Sequence, residues 1–326
     1  SGDDECRSVV AVAGGYLLAG ESNSTNDGDR SEGTRGGYDY WAVKIDLDGN
    51  KLWDKRFGGD DHDHCRSVVA TLDGGYLLVG YSISGANGDK SDWNHGSFDM
   101  WAVKIDASGN KVWDKRFGGS IADYCYDVVA TSDGGYLLAG HSGSGISGDK
   151  SEDSRGGMDM WAVKVDANGA KIWDKRFGSS VNDELYAAAA SSDGGYILAG
   201  RSGGPANGDK SEASRGNFDY WAVKVDANGS KLWDKRFGGS SNDYCYDVVA
   251  TADGGCLLAG YSNHLSGNTG DRTEASRGND DYWVVRVDSN GNKLWDKSFG
   301  GTGHDRCRAA VATPDGGFLL AGISAS

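Results

Sequence analysis

Polar and apolar positions fall into short runs with a twofold beat, and the runs recur along the chain. In the second copy, Cys65-Arg-Ser-Val-Val-Ala-Thr71 is a β-branched run closed by Asp73-Gly74-Gly75, and Tyr76-Leu-Leu-Val-Gly-Tyr81 follows at once. That juxtaposition predicts a tight hairpin. After a loop of about sixteen residues, Met100-Trp-Ala-Val-Lys-Ile-Asp106 predicts a third strand. Ala107-Ser-Gly-Asn110 turns it into a fourth, Lys111-Val-Trp-Asp-Lys-Arg-Phe117. No segment carries the 3.6-residue period of a helix.

The four-strand unit repeats. Trp-Asp-Lys begins at Trp53, Trp113, Trp173, Trp233 and Trp295, at spacings of 60, 60, 60 and 62 residues. A second tryptophan keeps the same spacings at Trp41, Trp101, Trp161, Trp221 and Trp283. The Gly-Gly-aromatic string that opens the second strand starts at Gly14, Gly74, Gly134, Gly194, Gly254 and Gly316, with Cys256 replacing the aromatic once. The two additional residues fall between Ser262 and Gly270. The chain therefore holds five full periods of about 60 residues plus a half, and both ends carry the same half.

Several strands are apolar on both sides. Leu77 and Leu78 point opposite ways, as do Trp101 and Val103 against Ala102. Four-stranded sheets stacked face to face around an axis cover both sides, whereas a sandwich demands cleaner alternation. The predicted fold class is all-β, a single β-propeller domain over residues 1–326. A six-bladed plan with one incomplete blade is favoured over five blades with a surplus hairpin. A segment of a longer array is a third reading, because residue 1 begins inside a loop that elsewhere follows a tryptophan strand.

Trp113 to Phe117, then Gly118-Gly119-Ser120, Asp123, a Val-Val-Ala strand and Asp133-Gly-Gly-Tyr-Leu-Leu-Ala-Gly140 resemble the SBBP-type bacterial β-propeller repeat. The likeness recurs along essentially the whole chain. It implies a propeller, an extracellular or cell-surface location and no shared enzymatic activity, and it supplies no active-site residues.

Composition narrows the partners. The 53 glycines follow no collagen period, and 33 basic against 48 acidic residues give a formal charge of 33 − 48 = −15. That sign disfavours nucleic acid and anionic lipid surfaces. No apolar run is long enough for a membrane-spanning helix. A carbohydrate or protein ligand, with self-association, is the expectation.

Binding residues concentrate on long loops. The loop between strands two and three repeats Gly-Asp-Lys/Arg-Ser/Thr, then a basic position held by Arg35, His95, Arg155, Arg215 and Arg277. These five, with Trp93, the one tryptophan outside the repeat pattern, are the ligand-binding candidates. The same loops and the links between units supply Asp29, Asp39, Asp63, Asp89, Asp99 and Asp123 as calcium candidates, since hard oxygen ligands suit that ion. The competing reading is that Asp and Arg pair and cap amides, fixing each loop on its neighbour; no other cofactor is expected.

Cys6, Cys65, Cys125, Cys245 and Cys307 share a repeat position that Leu185 fills in the remaining copy, which predicts buried thiols. Trp-Asp-Lys-Arg-Phe reads as blade packing, so Trp113 is expected in the core. Of the histidines His62, His64, His95, His141, His264 and His304, none recurs through the repeats beyond the one pair His62 and His304, and no nucleophile or metal motif accompanies them. The sequence thus points to a non-enzymatic, surface-displayed binding or adhesion module that recognises a glycan or protein multivalently. A structural spacer or assembly subunit is the first alternative, and a hydrolase with an unrepeated loop site the second.

Overall fold

The computed structural model describes residues 2–263 and 269–325; His264 and part of the two-residue insertion lie outside them. The first sheet is a meander of β1 (Asp4–Val12), β2 (Gly15–Ser22), β3 (Asp39–Asp46) and β4 (Lys51–Phe57). The second repeats it with β5 (Asp63–Ala70), β6 (Tyr76–Ser82), β7 (Asp99–Ile105) and β8 (Lys111–Phe117). The third comprises β9 (Asp123–Ala130), β10 (Tyr136–Ser142), β11 (Asp159–Val165) and β12 (Lys171–Phe177). The fourth is β13 (Asp183–Ala190), β14 (Tyr196–Ser202), β15 (Asp219–Val225) and β16 (Lys231–Phe237). The fifth is β17 (Asn242–Ala250), β18 (Cys256–Asn263), β19 (Asp280–Val287) and β20 (Lys293–Phe299), and the hairpin β21 (Asp305–Ala312) with β22 (Phe318–Ser324) ends the series.

The fold is an all-β propeller of five four-stranded blades and one two-stranded one. Two compact units share the chain. One holds Ser1–Asp153 with Ala162–Asp174, the other Ser154–Trp161 with Lys175–Ser326.

Each unit builds its core the same way. In the first, Leu17, Ala19, Tyr40 and Ala42 of one sheet pack on Cys65, Val68, Tyr76, Leu78, Trp101 and Val103 of the next. In the second, Ile197, Ala199, Tyr220 and Ala222 meet Cys245, Val248, Leu258, Trp283 and Val285. The central strands β6 and β7 are buried along their whole length, which is why they lack alternation. Tyr40 anchors one sheet to the next by donating its hydroxyl to the Trp101 carbonyl at 2.9 Å, and Tyr220 does the same to Trp283 at 2.8 Å.

Two glycines show why the repeat words are fixed. Gly74 sits at φ +82° in the β5–β6 turn, where its amide donates to Thr71. Gly80 lies against the neighbouring strand so closely that a Cβ would meet the His64 carbonyl oxygen at 1.8 Å.

The third-strand tryptophans Trp101, Trp161, Trp221 and Trp283 are completely buried. The fourth-strand tryptophan expected in the core, Trp113, is only half-buried. Its position on the outermost strand leaves one ring face for the β11–β12 turn of the next sheet, where a Cβ on Gly169 would come within 3.1 Å of it. All six cysteines are free; five are buried and Cys6 is exposed. Leu185 fills the shared position with no exposure.

Candidate functional site

Strand order places the long loops at one end of each sheet, with the starts of the first and third strands and the end of the second. Two layers of residues meet there: a clamp that repeats and a strip that does not.

The clamp explains the repeated words. The aspartate of each Trp-Asp-Lys lies 2.7 to 3.0 Å from a lysine three residues earlier. Its second oxygen accepts the indole N–H of the third-strand tryptophan, at 3.1 Å for Trp101 to Asp114 and 3.2 Å for Trp221 to Asp234. The same oxygen accepts a loop amide, Ser91 N–H to Asp114 at 2.8 Å. The loop then wraps a buried cation. Lys90 donates to the Asp92 carbonyl at 2.7 Å and Asn94 at 2.6 Å. Lys210 donates to Ser202 at 2.8 Å and Ser214 at 2.6 Å, and burial pulls its pKa down to about 8.

The basic position braces one loop on the next. Arg35 reaches Asp89 at 2.5 Å and the Gly58 carbonyl at 3.0 Å. Arg155 pairs with Asp209 at 3.0 Å and Arg215 with Asp271 at 2.6 Å. Arg277 donates to the Ser298 carbonyl at 3.4 Å. His95 stands over Gly148, where a Cβ would meet its ring at 2.5 Å. The pairing reading of these loops therefore describes their geometry. Trp93 is 72% exposed in its loop and lies against Gly85.

The six aspartates of the calcium expectation divide. Asp29 is exposed, and Asp89 is held by Arg35 and by the Gly58 amide at 3.2 Å. Asp39, Asp63, Asp99 and Asp123 are fully buried. Asp39 accepts the Arg35 amide and Asp63 the Gly59 amide, both at 2.8 Å, and Asp63 also accepts the Ser84 hydroxyl at 2.9 Å. Among the described residues no three His, Cys, Asp or Glu side chains are grouped to hold a metal ion. Burial, with Asp63 nearby, pushes Asp39 up to about 7; burial, with Asp123 nearby, pushes Asp99 up to about 6.

The strip is the layer that sequence reasoning missed. Every first strand contains a β-bulge, seen as a register shift between Cys65 and Ser67 in β5 and between Cys245 and Asp247 in β17. The bulge residue is Arg7, Arg66, Tyr126, Tyr186, Tyr246 and Arg308 in successive copies. A bulge re-aims a side chain and shifts the phase of the strand. Here it lets Cys65 and Val68 share the core face. His64 and Arg66 remain half-buried beside Tyr81 at the end of β6.

In the first unit the result is a continuous aromatic row. Tyr38 lies 5.9 Å from His62 and 5.5 Å from His64, and the two imidazoles stack at 5.7 Å. His64 continues to Tyr81 at 5.1 Å, Tyr81 to Tyr124 at 4.9 Å, and Tyr124 to His141 at 5.5 Å. Glu21 underlies the row, accepting Arg7 at 2.9 Å and pairing with His64 Nδ1 at 2.8 Å. Burial raises the Glu21 carboxyl, but the His64 hydrogen bond and the Arg66 and Arg7 charges hold it below the ordinary carboxylate value.

The second unit fills the same positions differently. Arg201 replaces Tyr81 and lies over Phe218 at 4.5 Å and Tyr244 at 4.6 Å, paired with Glu184 at 2.7 Å. Tyr244 stacks on Tyr261 at 4.9 Å, and Arg306 and Arg308 cover Tyr261 and Tyr246 at 4.9 and 4.2 Å. His304 and Arg306 both reach Asp280, at 2.7 and 2.6 Å. Chemically, such a surface offers ring faces for stacking and charged edges for hydrogen bonding. The signal that would have exposed it is variation among copies: within otherwise identical strands these positions hold Tyr, His, Arg and Glu.

No family model matches the chain. It is 25% identical over 343 aligned positions to the "Regulatory protein FlaEY" of Caulobacter vibrioides, covering 92% of this chain and 34% of that protein. The chain thus spans about a third of that relative's length. Among solved structures, a protein of unknown function from Dyadobacter fermentans is 12% identical with a TM-score of 0.49, covering 90% of this chain and 83% of its own. One from Bacteroides caccae is 13% identical at a TM-score of 0.47, covering 94% of this chain and 87% of its own. A putative gluconolactonase is 11% identical at 0.42, covering 88% of this chain and 81% of its own.

Proposed function

We propose that this chain is a non-enzymatic binding module of the SBBP repeat type, displayed at the cell surface, and that its ligand is an extended glycan chain lying along the aromatic strip. One observation carries the reading: chemically varied rings and charges, half-buried at Tyr124, Tyr244, Arg66 and Arg201 and backed by buried Tyr81, His141 and Tyr261, occupy fixed positions at the loop end of the sheets while the strands around them repeat. A sugar ring presents an apolar face to tyrosine and histidine and hydroxyls to Arg66 and Arg201. Successive sheets within each unit add contacts along the polymer, so weak individual sites combine. The name of the Caulobacter relative, a regulatory protein, is compatible with binding rather than turnover. Neither His64 nor His304, the imidazoles held by carboxylates, has a serine, threonine or cysteine partner among the described residues.

Affinity electrophoresis in gels containing soluble xylan, alginate or β-glucan tests the reading. Retardation in at least one gel, abolished by Tyr124→Ala and Tyr244→Ala, is the expected result. Equal mobility in every gel, or retardation that survives both substitutions, would refute it.

A further inference from the structure

We propose that the strip of the second unit binds the negatively charged groups of an acidic polysaccharide; this rests on the glycan reading above and adds the charge of the ligand. Two guanidinium groups flank one aromatic stack. Arg201 lies over Tyr244 at 4.6 Å, Tyr244 stacks on Tyr261 at 4.9 Å, and Arg306 lies over Tyr261 at 4.9 Å. Phe218 backs Arg201 as well, at 4.5 Å. A guanidinium already held flat against rings loses little freedom when it takes a ligand.

Each guanidinium fork is only half used. Arg201 donates Nε–H to Glu184 at 3.0 Å, and its Nη2 lies 2.7 Å from the same carboxylate. Arg306 donates Nε–H to Asp280 at 2.7 Å, with Nη2 at 2.6 Å. Among the described residues neither Nη1 has an acceptor. The carboxylates lie behind their cations. The Arg306 side chain is 37% exposed against 1% for Asp280, and Arg201 20% against 13% for Glu184. The strip therefore presents positive charge outward in a chain whose formal charge is −15. Half-burial at the Arg306 position is shared by His64, Tyr124 and Tyr244, in sheets that a further element follows.

A carboxylate or sulfate oxygen meets such an edge with charge on both sides of the hydrogen bond, where a sugar hydroxyl brings none. Nucleic acid fits less well: the strip supplies two partly neutralised cations, not the continuous basic groove that a single strand follows.

Titration calorimetry of the intact chain tests the proposal with two matched pairs: polygalacturonate against its full methyl ester, and dextran sulfate against dextran. Xylan, β-glucan and an oligothymidylate complete the set. At least one charged polymer should bind about tenfold more tightly than its uncharged counterpart. Which pair shows the gap identifies carboxylate or sulfate as the recognised group. Arg201→Gln and Arg306→Gln should each narrow the gap; the second leaves Asp280 paired with His304 at 2.7 Å. The polymer comparison uses the unaltered chain, so it decides even where a variant fails to fold. Charged polymers bound no better than their counterparts, tighter binding of the oligothymidylate, or a gap that survives both substitutions would overturn the proposal. Neutral polysaccharides bound as well as charged ones would leave the glycan reading standing, whereas no binding to any polysaccharide would remove both.

Discussion

The third strand and the start of the first strand flank the second strand in each four-stranded sheet and follow opposite rules. At the third-strand position Trp101, Trp161, Trp221 and Trp283 are identical and wholly buried. At the strip, His64, Tyr124, Glu184, Tyr244 and Arg306 occupy one register position with four different residue types. The clamp beneath them is the same each time: an aspartate, an indole, a loop amide and a lysine. Residues that hold one sheet on the next must recur wherever that contact recurs. Residues that meet a ligand are released from that constraint. In a repeat protein, sameness therefore marks support, and difference at a supported position marks recognition.

The largest expected effect lies on the support side. Trp221→Ala removes a fully buried ring and leaves Asp234 without its indole donor. It should cost about 3–5 kcal/mol in chemical denaturation. A loss under about 1 kcal/mol would break the distinction, because the repeated tryptophan would then be dispensable.

The strip should respond in the other assay. Tyr244→Ala is expected to weaken glycan binding by about 2 kcal/mol, near thirtyfold, as central aromatic anchors do. The protein should remain folded by circular dichroism. Binding that persists unchanged in this variant would remove the strip from the account.

A third test uses protons. Asp39 and Asp243 are pushed up to about 7 and Asp99 to about 6, each chiefly by burial. The folded state therefore holds protons that the unfolded chain has released. Their stabilisation is complete below the unfolded carboxylate value and is lost as pH rises through about 6 to 7. Asp73 and Asp133 work the other way. Hydrogen bonds from Lys104 and Thr71, and from Thr131 and Lys164, hold them at about 2, so their contribution is lost only in strong acid. Melting temperature should be higher at pH 5 than at pH 8. Asp99→Asn, which imitates the protonated carboxyl, should flatten that slope; an unchanged slope would contradict the assignment.

The smallest effect belongs to the loop braces. Arg35 is about two-fifths exposed and pairs with Asp89 at the surface, so Arg35→Ala should cost roughly 0.2–1 kcal/mol. Glycan binding should stay within about twofold of wild type. A large binding defect would move the ligand from the strip to the long loops, of which the next one carries Trp93 and His95.

The fold was legible because its signals are periodic. The sixty-residue recurrence, the Asp-Gly-Gly turns and the doubly apolar strands each report a backbone requirement that every copy must meet. The pairing of loop aspartates with the basic position was legible for the same reason. Trp113 was placed too deep because sequence cannot tell an outermost strand from an inner one when both carry tryptophan. The strip stayed hidden behind the bulge. Unbroken alternation would put Cys65, Ser67 and Val69 on one face, whereas the extra residue at Arg66 sends Cys65 and Val68 inward together. The burial of Lys90 and Lys210 was also invisible, since a lysine inside a polar loop reads as solvated until its carbonyl and hydroxyl partners are seen.

Transplanting one strip onto another measures the central claim most directly. The second and fourth sheets share phenylalanine at Phe98 and Phe218 and differ at the neighbouring strip positions. The triple variant His64→Glu, Arg66→Tyr and Tyr81→Arg copies Glu184, Tyr186 and Arg201 into the second sheet, and is to be followed by melting and by affinity electrophoresis together. The account expects a melting temperature within a few degrees of wild type and an altered order of preference among the polysaccharides. A collapsed melting temperature, or a stable protein with an unaltered order of preference, would contradict it.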